Sequence, residues 1–266
     1  MKYVEEMDRL LNNKYYLVAE RIEFVEQLIS AHKSFIPDKI KRFPALFNHV
    51  TTSYEHYEGL INYLLLTCFD ILGQPDEWMD YGSWLRSKSS IHEREKIMAI
   101  SSSNVSVIEL SKMLHDQYIA IYGVKNSFYR FMREILSDQQ RKQLFKTISA
   151  STGFGEVSAK DGMVTFRNPD GAGLELTTFE KERLLYVLRN SFTHRCMSCH
   201  DGLDMYAFVE KIPHRGIVIY HEIYKGREII YTVYDWPNVL LNIIKEILDI
   251  NKDKMPYFIL EKNGRL

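Results

Sequence analysis

The amino-acid sequence predicts a mainly α-helical bundle with one or two inserted β-hairpins. Apolar residues recur at the spacing of amphipathic helices along most of the chain. Two segments depart from that pattern: residues 151–176 contain five glycines and a proline, and residues 216–234 are rich in isoleucine, valine and tyrosine. With 266 residues, 45% of them hydrophobic and 26% charged, the chain has an ordinary globular composition, and we expect one domain over residues 1–266.

The N-terminal segment predicts a long amphipathic helix over residues 1–31, within a helical extension that covers residues 1–43. Apolar residues fall at seven-residue intervals, at Val4, Leu11, Val18 and Val25. Lys14 and Arg21 interrupt the neighbouring row, which favours packing within the chain over a zipper between subunits. Pro37 disfavours helix in the residue before it, so we expect the helix to end near this position.

Further helices are predicted over residues 44–72, 77–86, 91–121 and 124–148. The first of these ends at Gly73, a residue typical of helix C-termini. The third contains a break at residues 101–104, whose serines and asparagine can cap the helix that follows.

The β-rich insertion at residues 151–176 contains one predicted strand. Residues 163–166 have strand composition, and Asn168, Pro169, Asp170 and Gly171 after them are typical of a turn. We therefore expect a small hairpin or a loop here.

The second insertion predicts a two-stranded hairpin. Residues 216–224 and 228–234 are the two strands, and Lys225 and Gly226 lie between them. Asp235 is then the predicted cap of a last helix. The inner face of that helix is predicted to consist of Leu240, Leu241, Ile244, Ile247 and Leu248.

The segment 177–200 concentrates the side chains that are capable of chemistry. It begins as a helix, because Thr177 and Glu180 have the spacing of a capping box. Apolar residues then follow at helical spacing, at Leu184, Leu185, Val187, Leu188 and Phe192. A polar group follows, which consists of Arg189, Asn190, Thr193, His194, Arg195, Cys196, Cys199 and His200.

Charge and motifs exclude several classes of protein. The net charge of −1 provides no overall attraction to nucleic acid, so any such contact must depend on a local patch. The acidic N-terminal residues do not resemble a signal peptide, and no apolar run is long enough to span a membrane, so we expect a cytoplasmic protein. The sequence has no phosphate-binding loop, dinucleotide fingerprint or metalloprotease motif, and we expect no cofactor or metal.

The cysteines near the motif permit three interpretations. Cys196, Cys199 and His200 match the pattern of c-type haem attachment, and with His194 they form a set that is able to bind zinc. These ligands are crowded for one tetrahedral ion, and haem attachment requires export. We therefore favour cysteines that pack as small apolar residues, while a small metal or redox protein stays an alternative.

The run Arg189-Asn190-Ser191-Phe192-Thr193-His194 resembles the signature of the HEPN family (higher eukaryotes and prokaryotes nucleotide-binding). The same arginine–histidine spacing occurs elsewhere in the chain, but here asparagine follows the arginine and the motif ends an amphipathic helix. The resemblance covers residues 177–195. It implies a HEPN-like helical bundle, a homodimer, and a metal-independent endoribonuclease that serves as a toxin or an antiviral-defence effector with an antitoxin or defence-system partner protein.

The resemblance assigns catalytic roles to Arg189, His194 and Asn190. Arg195, Thr193 and Lys181, which flank them, are predicted to bind the RNA substrate. Histidine titrates near neutral pH and can move the proton of a 2′-hydroxyl, and arginine offers a planar, permanently charged fork to phosphate oxygens.

Positions five apart on a regular helix point about 140° apart, so Arg189 and His194 do not converge by themselves. Either the helix breaks near Asn190, or two copies of the motif meet across a dimer, as is usual in the family. Two further interpretations remain open. One is a non-catalytic HEPN-like module that binds RNA or a protein partner, and the other is a helix terminus whose cations face the helix dipole. Cys196 occupies the position where some members carry a modified tyrosine, so that modification is not expected.

Overall fold

The computed structural model describes residues 13–42, 58–100, 105–151, 156–160, 163–167, 174–195 and 216–255, and it shows a mainly helical protein. The helices are α1 (Lys14–Arg42), α2 (Glu58–Leu72), α3 (Tyr81–Arg86), α4 (Ile91–Ile100), α5 (Val107–Tyr122), α6 (Val124–Arg130, continued by a π-helical turn over Phe131–Ile135), α7 (Asp138–Lys146), α8 (Thr178–Arg195) and α9 (Asn238–Ile250). The strands are β1 (Ile148–Ser151), β2 (Glu156–Lys160), β3 (Met163–Arg167), β4 (Gly216–Tyr224) and β5 (Arg227–Trp236).

These elements group into two compact units. The described residues of the first unit are 13–18, 69–100, 105–135 and 253–255, and those of the second are 19–42, 58–68, 136–151, 156–160, 163–167, 174–195 and 216–252. The single domain over residues 1–266 stays a prediction. No helix in the described part of the chain is both long enough and apolar enough to cross a membrane.

In the first unit, the C-terminal end of α2 lies in close contact with α6. A Cβ atom on Gly73 would lie 1.9 Å from the carbonyl oxygen of Ser127 in α6, so only glycine fits there. Arg130 donates hydrogen bonds to the carbonyl oxygens of Gly73 and Ile121, both at 2.9 Å. One guanidinium therefore satisfies carbonyl groups at the ends of α2 and α5, which lack helical partners. The predicted end at Gly73 is confirmed.

Two helices of the first unit begin at side-chain caps. α3 begins after Asp80, whose side chain accepts a hydrogen bond from the backbone N–H of Ser83. Residues 77–80 were predicted to be helical, and this prediction is wrong. α5 begins at Ser106, which forms a capping box with Glu109. The prediction that residues 101–104 cap this helix is therefore wrong, since Ser106 is its N-cap.

The prediction of one helix over residues 124–148 is wrong. The chain leaves the helix at Leu136 and Ser137, and Ser137 forms a capping box with Gln140 that starts α7. Residues 148–151 are the strand β1. Ser137 and Gln140 have the spacing of a capping box in the sequence, but the apolar stripe continues across them, and periodicity alone does not detect a break of two residues.

The predicted end of α1 near Pro37 is also wrong. The helix runs through Pro37 to Arg42, although it was expected to end near the proline. Asn13 caps its first turn, since its Oδ1 accepts the N–H groups of Tyr15 and Tyr16 at 3.0 and 3.1 Å. Residues 1–12 and 43–57, where helix was also predicted, lie outside the described residues.

A three-stranded antiparallel sheet with the order β1-β5-β4 lies in the second unit. The predicted hairpin of β4 and β5 is confirmed, and both turn residues have positive φ, 52° at Lys225 and 74° at Gly226. β2 and β3 form a separate hairpin, which confirms the strand predicted at residues 163–166; the turn predicted at residues 168–171 lies outside the described residues.

The amphipathic helix α9 packs on β5 and α7. Its predicted inner face is buried, as expected from its helical spacing. Gln140 of α7 donates a hydrogen bond to Glu246 of α9 at 2.9 Å. The predicted cap at Asp235 is wrong: this residue belongs to β5, and Pro237 holds the N-cap position without a side-chain hydrogen bond.

Candidate functional site

The candidate site lies on α8, and the helix begins at the predicted capping box. The backbone N–H and the hydroxyl of Thr177 donate to Glu180 at 3.0 and 2.8 Å, and the backbone N–H of Glu180 donates to the Thr177 hydroxyl at 3.3 Å. The hydrogen bond from the backbone of Thr177, followed by that from its hydroxyl, lowers the pKa of the Glu180 carboxyl.

One side of α8 is buried in the second unit. Leu184, Leu185 and Leu188 have no exposed surface, and Glu182 is 3% exposed. Arg189 and Asn190 are half-buried. The predicted apolar stripe is therefore confirmed at its three leucines, whereas the side chain of Phe192 lies outside the described residues.

The motif does not interrupt the helix. α8 continues through Asn190 to Arg195, so the proposed break near Asn190 is not present. The Cα atoms of Arg189 and His194 are therefore separated by about 140° around the helix axis and by about 7.5 Å along it. Of the two predicted arrangements, the meeting of two copies is the one that an unbroken helix leaves open.

Arg189 and Asn190 interact directly. Nη1 of Arg189 donates a hydrogen bond to Oδ1 of Asn190 at 3.2 Å. In the next position, the hydroxyl of Ser191 donates to the carbonyl oxygen of Val187 at 2.9 Å, so it is engaged within the helix. The amide oxygen of Asn190 therefore holds one nitrogen of the Arg189 guanidinium, and the catalytic role expected for Asn190 stays a prediction.

The three predicted substrate-binding residues lie at two separate places on α8. Lys181 donates a hydrogen bond to the carbonyl oxygen of Phe145 in the last turn of α7 at 2.9 Å, and its Cα lies on the leucine side of α8. Thr193 and Arg195 lie in the last turn of α8, near the negative end of the helix dipole, together with His194. The side chains of these last three residues lie outside the described residues, and all three substrate-binding roles stay predictions.

A charged network on the same helix was missed in the sequence. Arg183 donates from Nη1 to Oε2 of Glu222 in β4 at 3.2 Å and from Nη2 to Oε1 of the same carboxylate. Nη2 also donates to the hydroxyl of Tyr231 in β5 at 3.2 Å. The guanidinium carbon of Arg183 lies 4.0 Å from the ring centroid of Tyr224. Sequence spacing gives no sign of this contact, because Glu222 lies 39 residues after Arg183.

Burial and hydrogen bonding fix the protonation states in this network. Burial favours the neutral form of Arg183, but the hydrogen bonds and the charge of Glu222 outweigh it and raise the pKa of the guanidinium. Burial also raises the pKa of Tyr231, and the neighbouring Glu222 raises it further. Arg183 is therefore cationic and Tyr231 neutral at physiological pH.

The described part of the chain contains no candidate metal site. No group of three or more histidine, cysteine, aspartate or glutamate side chains there is arranged to hold an ion. Cys196, Cys199 and His200, the set considered for zinc or haem, lie outside the described residues.

Comparison with known proteins finds no match for this chain. The chain matches no protein-family model, and no curated protein and no solved structure is similar to it. The functional interpretation therefore depends on the residues of α8 and on the motif that they form.

Proposed function

We propose that this protein is a metal-independent endoribonuclease whose site is built from Arg189 and His194 of two chains, and that it acts as a toxin or an antiviral-defence effector. The observation that supports the proposal is an unbroken α8 that carries the whole motif, with the Arg189 fork hydrogen-bonded to Asn190. An arginine and a histidine held on one rigid helix are the two groups that this chemistry needs.

The reaction uses the RNA's own 2′-hydroxyl as the nucleophile. His194 takes the proton of that hydroxyl while the 2′-oxygen attacks phosphorus and the bond to the 5′-oxygen breaks. Arg189 stabilises the charge on the phosphate oxygens, and a proton returns to the 5′-oxygen as it leaves. The products are a 2′,3′-cyclic phosphate and a 5′-hydroxyl, and no step requires a metal ion.

Two-fold symmetry can remove the axial separation of Arg189 and His194. If two α8 helices cross antiparallel with the axis between residues 191 and 192, residue 189 of one copy lies at the same level along the helices as residue 194 of the other. The axial offset of about 7.5 Å within one helix then cancels between the two helices. A homodimer with α8 near its axis is therefore part of the proposal.

Cleavage of a fluorescent single-stranded RNA in EDTA tests the chemistry. His194→Ala should abolish cleavage, because its proton acceptor is lost, and Arg189→Ala should do the same through lost phosphate stabilisation. Arg189→Lys should retain part of the activity, since lysine keeps the charge but loses the fork. Asn190→Ala should have a milder effect, and His200→Ala serves as the matched control. Full activity of His194→Ala, or activity that requires added metal, contradicts the mechanism.

Mixing inactive variants tests the two-chain site. When Arg189→Ala and His194→Ala proteins exchange subunits, about half of the dimers are mixed, and each mixed dimer contains one intact pair of the two. The mixture should recover about a quarter of wild-type activity, with each variant alone inactive. A mixture that stays inactive after proven subunit exchange places the site within one chain.

The alternative is a non-catalytic module that binds RNA or a protein partner. It is favoured by the half-burial of Arg189 and by the hydrogen bond that its fork already makes to Asn190. Tight RNA binding by wild-type protein, without cleavage under the conditions above, would support this alternative.

A further inference from the structure

The network around Arg183 ties the motif helix to the β4–β5 hairpin. Both partners of the ion pair are largely enclosed, with 18% of the Arg183 side chain and 16% of the Glu222 side chain exposed. The two guanidinium nitrogens contact the two carboxylate oxygens, a geometry that fixes both direction and distance. The ring of Tyr224 supports one face of the fork, and the buried Tyr231 hydroxyl accepts from it.

The position of Arg183 on the helix gives this contact its significance. Asn190 follows it by seven residues and His194 by eleven, so the three Cα atoms lie on one stripe of α8 within about 40°. The buried leucines of α8 lie on the opposite side. Burial of the leucines is not directional, whereas a bidentate ion pair has one favourable orientation.

We propose that Arg183 and Glu222 are a positioning pair, which fixes the rotation of α8 and so the direction in which the motif is presented. The proposal rests on the proposed function for its effect on cleavage. In this proposal neither residue contacts RNA, and both act through the orientation of the helix. The strands β4 and β5, a predicted insertion into the bundle, thereby gain a role in the site.

The expected effect follows from helix geometry. Side chains end about 5–6 Å from the helix axis, so a rotation of about 20° displaces their ends by about 2 Å. A misplacement of about 1 Å in a reacting group can reduce the rate about 100-fold. Loosening the pair should therefore reduce kcat about 10- to 100-fold and leave KM nearly unchanged, because phosphate attraction does not depend on one orientation.

Three variants separate orientation from charge. Glu222→Gln removes the carboxylate but keeps an acceptor, and it should show the full loss in kcat. Arg183→Lys keeps the charge without the fork and should show an intermediate loss. Tyr231→Phe removes only the hydroxyl and should show the smallest one. Glu26→Gln is the matched control, because Glu26 pairs with Lys245 in the same unit but at an exposed position, and its kcat should equal that of the wild type.

A distance measurement reads the helix orientation without RNA. Spin labels at Asn190→Cys in α8 and Lys225→Cys in the hairpin turn, with Cys196 and Cys199 changed to serine, report how firmly the helix is held; the buried Cys68 stays unlabelled. Glu222→Gln should broaden or shift the distance distribution, and Glu26→Gln should not.

The two measurements distinguish the possible failures. An unchanged distance distribution in Glu222→Gln overturns the inference, whatever the activity. A fall in activity through KM alone, or equally in Glu26→Gln, also overturns it. If wild-type protein cleaves no RNA, the proposed function fails, while the distances still decide whether the pair fixes the helix.

Discussion

The buried amide of Asn62 in α2 allows a direct test of the packing. Its side chain has no exposed surface, and in the part of the chain that the structure describes neither Oδ1 nor Nδ2 has a hydrogen-bond partner. A buried polar group without a partner costs about 1–3 kcal/mol. Leucine has the same number and branching of side-chain heavy atoms, lacks the polar groups and favours helix slightly more. Asn62→Leu should therefore raise the free energy of unfolding by about 1–3 kcal/mol.

A second position on the same helix is the matched control. The hydroxyl of Thr67 accepts a hydrogen bond from Arg21 at 2.6 Å and donates one to the carbonyl oxygen of Leu64 at 2.8 Å. Thr67→Val preserves the shape of the side chain but removes both bonds, so it should lower the free energy of unfolding by about 1 kcal/mol.

Urea denaturation followed by circular dichroism measures both changes, and the dependence on urea concentration should stay constant within the series. If Asn62→Leu destabilises the protein by about 1 kcal/mol or more, the amide is hydrogen-bonded in solution, and the reasoning is refuted.

Three other positions give predictions that the same assay checks. Gly73→Ala should destabilise the protein by about 3 kcal/mol or more, because its Cβ would overlap the Ser127 carbonyl oxygen, whereas Gly226→Ala, with φ of 74° but open space, should cost about 1–2 kcal/mol. Equal losses would contradict the packing argument. Hydrogen bonds from Thr177 lower the pKa of Glu180 below its ordinary value of 4.5, so its ionised form stabilises the folded state above that pH. The stability difference between wild type and Glu180→Gln should therefore shrink as the pH falls through the lowered pKa, and a constant difference would count against the capping box.

Local signals in the sequence predicted those elements whose residues interact with near neighbours. The capping box of Thr177 and Glu180, the turn at Lys225 and Gly226, and the apolar face of α9 each involve residues close in the sequence, and all three are confirmed. One error arose where two local signals conflict. At Ser137 a cap competes with a continuous apolar stripe, and the cap determines the structure.

The candidate site shows the same limit at longer range. The sequence left open whether the helix breaks near Asn190, and the structure shows that α8 continues through His194 to Arg195. The leucines of the sequence predicted the buried side of the helix, but they could not reveal the contact of Arg183 with Glu222, because these residues lie far apart in the chain. From sequence alone, an arginine on the polar side of an amphipathic helix is interpreted as a solvated charge. The orientation of a motif is thus a tertiary property, even when the motif itself is local. For this chain, it makes the β4–β5 hairpin as relevant to the proposed cleavage as the helix that carries the arginine and the histidine.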